Sequence, residues 1–144
     1  MARYSAGMTT AGAGTSVRPV FGLLSTATVT GQLREIQAWN TTATAVAFRV
    51  VSFTGGTPGA DQTEHKNRPL SPAASCIAKG LWTADATIAS DTGFHFQLGD
   101  AIGAAAVLTF GADGLETAAG ATAGIGIVPV GTGQVIEVAF VWDE

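Results

Sequence analysis

The sequence predicts an all-β protein: a single β-sandwich, jelly-roll-like, with an extended N-terminal arm over residues 1–16. Three observations carry this. Apolar residues alternate with a period of two in several short segments, the signature of strands with one buried face. Gly-rich turns separate those segments at close intervals, giving roughly eight short strands. Apart from a short helix suggested over 72–79, where Ser71-Pro72 offers a cap and first turn, no segment keeps a 3.6-residue period.

Taken in order, residues 1–16 are small, polar and aperiodic, and read as the arm. A domain follows over 17–144. Its first strand lies in VRPVFGLLS, with Pro19 marking an edge or irregular start. TGQLREIQAWN (30–40) places Leu33, Glu35, Gln37 and Trp39 on one face and Arg34, Ile36 and Ala38 on the other. TAVAFRVVSF (44–53) sets Val46, Phe48 and Val50 against Ala47, Arg49 and Val51, and the intervening NTT reads as a hairpin connection. Residues 54–72 form a long loop rich in Gly, Pro and charge, of the length that compact domains keep for function. Strands then follow in FHFQL (94–98), AAAVLTF (104–110), ATAGIGIVPV (121–130) and QVIEVAFVWDE (134–144), with a turn at Asp113-Gly114.

Composition narrows the class of function. Alanine (26), glycine (19) and threonine (19) dominate the 144 residues, and charged residues make up 12%. That is about half the usual share of a soluble domain. A chain of 14.5 kDa is one domain by size. With so much alanine its core is expected to be thin, and Trp39, Trp82, Trp142, seven phenylalanines and the Val/Ile/Leu runs must supply most of the buried area. Such a surface is suited to lie against other proteins.

Charge is uneven. Residues 1–79 carry all seven Lys and Arg and a net +4, while residues 80–144 carry eight acids and a net −8. Strands from both halves can interleave and average this out, or copies can dock with unlike faces together. The pI near 5.0 does not suit a nucleic-acid surface. No apolar stretch reaches membrane-spanning length, and the N-terminus lacks the apolar core of a secretory signal.

The residue inventory holds no catalytic, cofactor or metal motif. Cys76 stands alone among small apolar neighbours and reads as a buried structural thiol. His65 and His95 form no CxxC- or HxxxH-type pair, so no zinc site is expected. His95 faces opposite to Phe94 and Phe96, and His65 sits in the polar loop. Neither a G-x-S-x-G elbow nor a phosphate-binding glycine loop occurs in the right setting, and the DTGF at 91–94 lacks a second copy. The chain is therefore read as a non-enzyme.

Three stretches, REIQAWNTTATAVAFRVVSFTGGTPG, RPLSPAAS and TFGADGLETAAGATAGIGIVPVGTGQVIEVAFVWDE, resemble small tailed-phage virion proteins. The MARY start and the ending on Trp142, Asp143 and Glu144 fit the same pattern. Within that group the chain looks most like a capsid decoration (cement) protein. The resemblance implies a homotrimer on the outer capsid surface, made in the host cytoplasm and bound to the major capsid protein, with no nucleic-acid or membrane partner. Contacts are then expected from the arm (Arg3, Tyr4, Met8), the loop (Thr57, Pro58, His65, Lys66, Arg68) and the C-terminal acids (Asp143, Glu144). A tail, collar or head–tail joining component is the alternative, and a surface carbohydrate-binding module a further one. The three tryptophans sit in alternating apolar settings and favour core over sugar stacking.

Overall fold

A computed structural model describes residues 1–144. Eleven strands form two sheets: β1 (Arg3–Thr9), β2 (Phe21–Leu24), β3 (Gln32–Asn40), β4 (Val46–Thr54), β5 (His65–Lys66), β6 (Ile77–Lys79), β7 (Thr87–Leu98), β8 (Ala105–Thr109), β9 (Leu115–Glu116), β10 (Ala123–Val130) and β11 (Ile136–Asp143). The front sheet runs β5-β1-β11-β3-β8, with β9 also on β3, and the back sheet runs β6-β2-β10-β4-β7. All pairings are antiparallel.

The pairs β1–β11, β2–β10, β3–β8 and β4–β7 nest inside one another like the rungs of one long hairpin. Successive pairs fall in alternate sheets, so that hairpin is rolled up on itself. This is the jelly-roll wiring that the spacing of strands and turns predicts.

Between the sheets lies one cluster of 21 buried residues. Tyr4, Ile36, Val138, Phe140 and Trp142 enter it from the front, and Phe21, Leu23, Phe48, Val50, Ile125 and Ile127 from the back. Phe21 meets Phe140 edge-on across the gap at 4.8 Å, and Tyr4 stacks on Trp142 at 5.8 Å. Each such side chain contributes about 1.5–3 kcal/mol through removal from water. Trp82 belongs to a second, smaller cluster with Leu24, Phe53 and Ala86, on the outer side of the back sheet.

Part of the segment expected as an extended N-terminal arm outside the sandwich, Arg3–Thr9, is a strand of it. All seven residues of β1 pair with β11, and Tyr4 and Ala6 are buried. The arm is extended, but the long-range ladder to β11 holds it in place. No hairpin joins β3 to β4 at NTT either; the chain crosses from the front sheet to the back there. Asn40, wholly buried, fixes that crossing. Its Nδ2 donates to the carbonyls of Thr44 and Gly99 at 2.6 and 2.8 Å, and its Oδ1 accepts from the backbone N and hydroxyl of Thr42, both at 3.0 Å. Asn40→Ala is expected to cost about 2–3 kcal/mol, read as a lowered urea midpoint, because buried carbonyls lose their donors.

The helix suggested at 72–79 does not form. Glu144 takes the amides of Ser75 and Cys76, and Ile77–Lys79 pairs with β2 as β6, so tertiary partners override the local signal. The long loop closes one side of the sandwich. It bridges to β6 at Asp61↔Lys79 in the back sheet and then joins β1 of the front sheet as β5.

Candidate protein-contact surface

Two neighbouring regions of the front sheet gather the side chains that face solvent with the most distinctive chemistry. The first is a corner where the two ends of the chain meet. Ala2 and Glu144 exchange backbone hydrogen bonds of 2.8 and 3.0 Å, bringing Arg3 of β1 beside Asp143 of β11. Arg3 donates to both oxygens of Asp143 at 2.7 and 2.9 Å, and Arg34 Nε donates to Oδ2 at 2.8 Å. Arg34 reaches this position because β3 and β11 slip register between Val141 and Trp142. Its side chain is fixed further by Gln32 and by the carbonyl of Ala112.

The hydrogen bonds from Arg3 hold the Asp143 carboxyl below the ordinary aspartate range; burial opposes them, and Arg34 adds to the lowering. The same pairing raises Arg3. Burial pushes the Cys76 thiol up to about 12, with Glu144 adding to it, so Cys76 is kept protonated as an inert core thiol. β5 completes the corner by placing Lys66 opposite Tyr4 and His65 opposite Ser5. Arg68 follows, and with Met1, Arg3, Asn67 and Asp143 it lines a shallow cavity of about 350 Å³.

The expected contact residues thus divide. Arg3, His65, Lys66, Arg68, Asp143 and Glu144 meet at this corner. Three of them are committed within the chain. Asp143 is buried between two arginines, and Glu144 accepts from Ser75, Cys76 and the indole Nε1 of Trp142. Arg3 is tied to Asp143. Tyr4 points into the core and donates to the carbonyl of Pro72 at 3.1 Å, which removes it from any outer contact. Met8 is half-buried against the core. Thr57 and Pro58 lie apart from the corner, with Thr57 bridged to Ala84 beside the Trp82 cluster. Lys66 and Arg68 are left with no carboxylate in ion-pairing reach.

The second region is the outer face of the front sheet. The register sets Ser5, Val141, Glu35 and Thr109 in one row, Gly7, Ala139, Gln37 and Val107 in the next, and Thr9, Glu137, Trp39 and Ala105 in a third. Nearly all are small or uncharged. Glu35 accepts from Gln37 and Glu137 from the Thr9 hydroxyl, so even the two acids are tied down. Trp39 is 39% exposed on this face, contrary to the expectation of core. The signal for it was present: Leu33 and Ile36 both point inward three residues apart, which requires a bulge and turns Glu35, Gln37 and Trp39 outward.

On the outer side of the back sheet, His95 approaches Asp91 at 2.9 Å, and Arg49 lies 3.8 Å from the same carboxylate. The Gly93 amide, and then His95, lower Asp91. Gly93, at φ 83°, permits the tight turn within β7 that brings these groups together. They satisfy one another. Compared with protein-family models, with curated proteins and with solved structures, the chain matches none.

Proposed function

We propose that this chain is a structural virion protein, a capsid decoration protein that lays the outer face of its front sheet on the major capsid lattice and cements it. The observation that carries this reading is the low charge of that face: three rows across β1, β11, β3 and β8 in which only Glu35 and Glu137 are charged, each held by a neighbouring side chain. A sheet face with few charges can approach another protein closely at little desolvation cost. Many copies, each weakly held, grip a lattice by avidity. The resemblance of its strands and loops to small tailed-phage virion proteins supplies the lattice. Its place is then the outer capsid surface, after synthesis in the host cytoplasm.

Capsids lacking the protein, incubated with it and imaged by cryo-EM, should show added density on the outer shell. Ala139→Arg, which places a charge at the middle of this face, should lower occupancy by about tenfold or more while leaving the fold intact. Density along the tail or at the head–tail junction would favour the tail, collar or joining alternative. Unchanged occupancy with Ala139→Arg would remove the face from the reading.

The exposure of Trp39 beside Gln37 and Glu137 favours one other reading, a carbohydrate-binding module with Trp39 as its stacking platform. Binding on a glycan array that is lost in Trp39→Ala would establish it.

A further inference from the structure

We infer that copies of this chain associate head-to-tail, the β5–β1 edge of one front sheet meeting the β8 edge of the next. These are the two opposite edges of that sheet. Three independent features single them out.

Exposed apolar side chains concentrate there. Leu70 (99%), Ile102 (74%) and Val107 (62%) are, with Met1 (80%), the most exposed large hydrophobic residues of the molecule. Leu70 follows Arg68 just beyond β5, whereas Val107 lies in β8 and Ile102 in the turn that leads into it.

Unpaired charge follows the same division. Lys66 and Arg68 have no carboxylate partner, and beside Glu64 they leave the β5 edge cationic. Asp100 precedes β8 and Asp113 follows it, both exposed and neither paired with a cation. Opposite charges are therefore left free on opposite edges, the arrangement that attracts a second copy and steers its orientation.

The β8 edge is also unguarded. Ala105–Thr109 contains no charge and no proline, pairs with β3 without a register shift, and has no strand on its other side. By contrast β7, the corresponding edge of the back sheet, is broken by two register shifts. Natural proteins blunt such edges unless something covers them. Because the two docking edges differ, the contact is heterologous and forms a closed ring or an open chain according to its rotation. Apart from Val107, whose side chain belongs to the outer face, this interface uses the edges of the front sheet, so it extends the proposed function without depending on it.

Sedimentation velocity of the purified full chain, without capsid, tests it. The wild type should assemble with increasing concentration, and its midpoint should rise with salt. Lys66→Glu/Arg68→Glu and, separately, Asp100→Lys/Asp113→Lys should each raise the midpoint by about tenfold or more. An equimolar mixture of the two variants should regain part of the loss, since each then offers the other a matched pair of edges. A chain carrying all four changes should assemble like the wild type. Exposed Leu70→Cys and Ile102→Cys variants should cross-link when mixed and not alone. A wild type that stays monomeric, reversals without effect, reversals not rescued in the fourfold variant, or Leu70→Cys joining only to itself would each overturn the proposal. Capsid occupancy is a separate measurement, so failure here and failure of shell binding are told apart.

Discussion

Trp82→Ala is expected to lower the unfolding free energy by about 3–5 kcal/mol, among the largest effects of any single truncation in this chain. Trp82 is 1% exposed although it lies outside the main core. It stands edge-on to Phe53 with ring centroids 5.0 Å apart, on a floor of glycines in β2 and β10. A Cβ at Gly22 would lie 3.0 Å from the indole, and one at Gly126 would lie 2.8 Å from the carbonyl of Phe21 and 3.0 Å from the Phe53 ring. The Gly/Ile alternation of β10 thus serves two clusters at once. Its isoleucines fill the space between the sheets, and its glycines let an aromatic pair settle on the outside.

The backbone on both sides of Trp82 is held by the same packing. Its amide donates to the carbonyl of Pro19 at 3.0 Å, and the Ala86 amide donates to Val17 at 2.9 Å. Removing the indole therefore loosens the whole 80–86 segment. In guanidinium unfolding the midpoint should fall while the slope stays constant. Trp39→Ala is the internal contrast: Trp39 is part-exposed on the front face, and its loss should cost no more than about 1 kcal/mol. Equal costs for the two tryptophans would contradict this account of the second cluster.

Much of the sandwich was legible because its strands are simple. TAVAFRVVSF and QVIEVAFVWDE carry strong alternation, and the turn residues between segments mark where the chain reverses. What was not legible depends on partners distant in sequence. Residues 3–9 do alternate, with Tyr4, Ala6 and Met8 directed inward, but two of those three are small or flexible and the local pattern is faint. The ladder to β11, at the other end of the chain, makes them a strand. Residues 72–79 carry a real helix-start signal, and the carboxylate of Glu144 defeats it by taking two of the amides.

The contact residues follow the same rule. Asp143 and Glu144 are expected as contact acids, but they are drawn inward by partners that only the fold brings near. Arg34 carries no local sign of its role, because that role requires the register slip that lifts it toward Asp143. Lys66 and Arg68 kept their expected exposure, since the loop that carries them rises away from both sheets' ladders after two residues of pairing.

Asp143→Asn should destabilise the fold by about 2–3 kcal/mol at neutral pH, and the loss should itself depend on pH. The substitution keeps the shape of the side chain and removes the charge that two arginines share. Arg3 gives Asp143 two hydrogen bonds but is half exposed, so water compensates for part of its loss, whereas the one bond from the mostly covered Arg34 is less readily replaced by water. In the wild type the folded Asp143 carboxyl titrates below its unfolded value, chiefly because Arg3 donates to it. Its contribution is therefore complete above the unfolded aspartate value of about 3.9 and disappears as pH falls through the lower, folded one. The stability difference between wild type and Asp143→Asn should be flat from about pH 5 to 8 and shrink steadily below about pH 4. Because β1 and β11 meet at this carboxylate, the variant should also lose amide-exchange protection first in Arg3–Thr9. A difference that widens on acidification would mean that the arginines do not stabilise the ionised carboxylate.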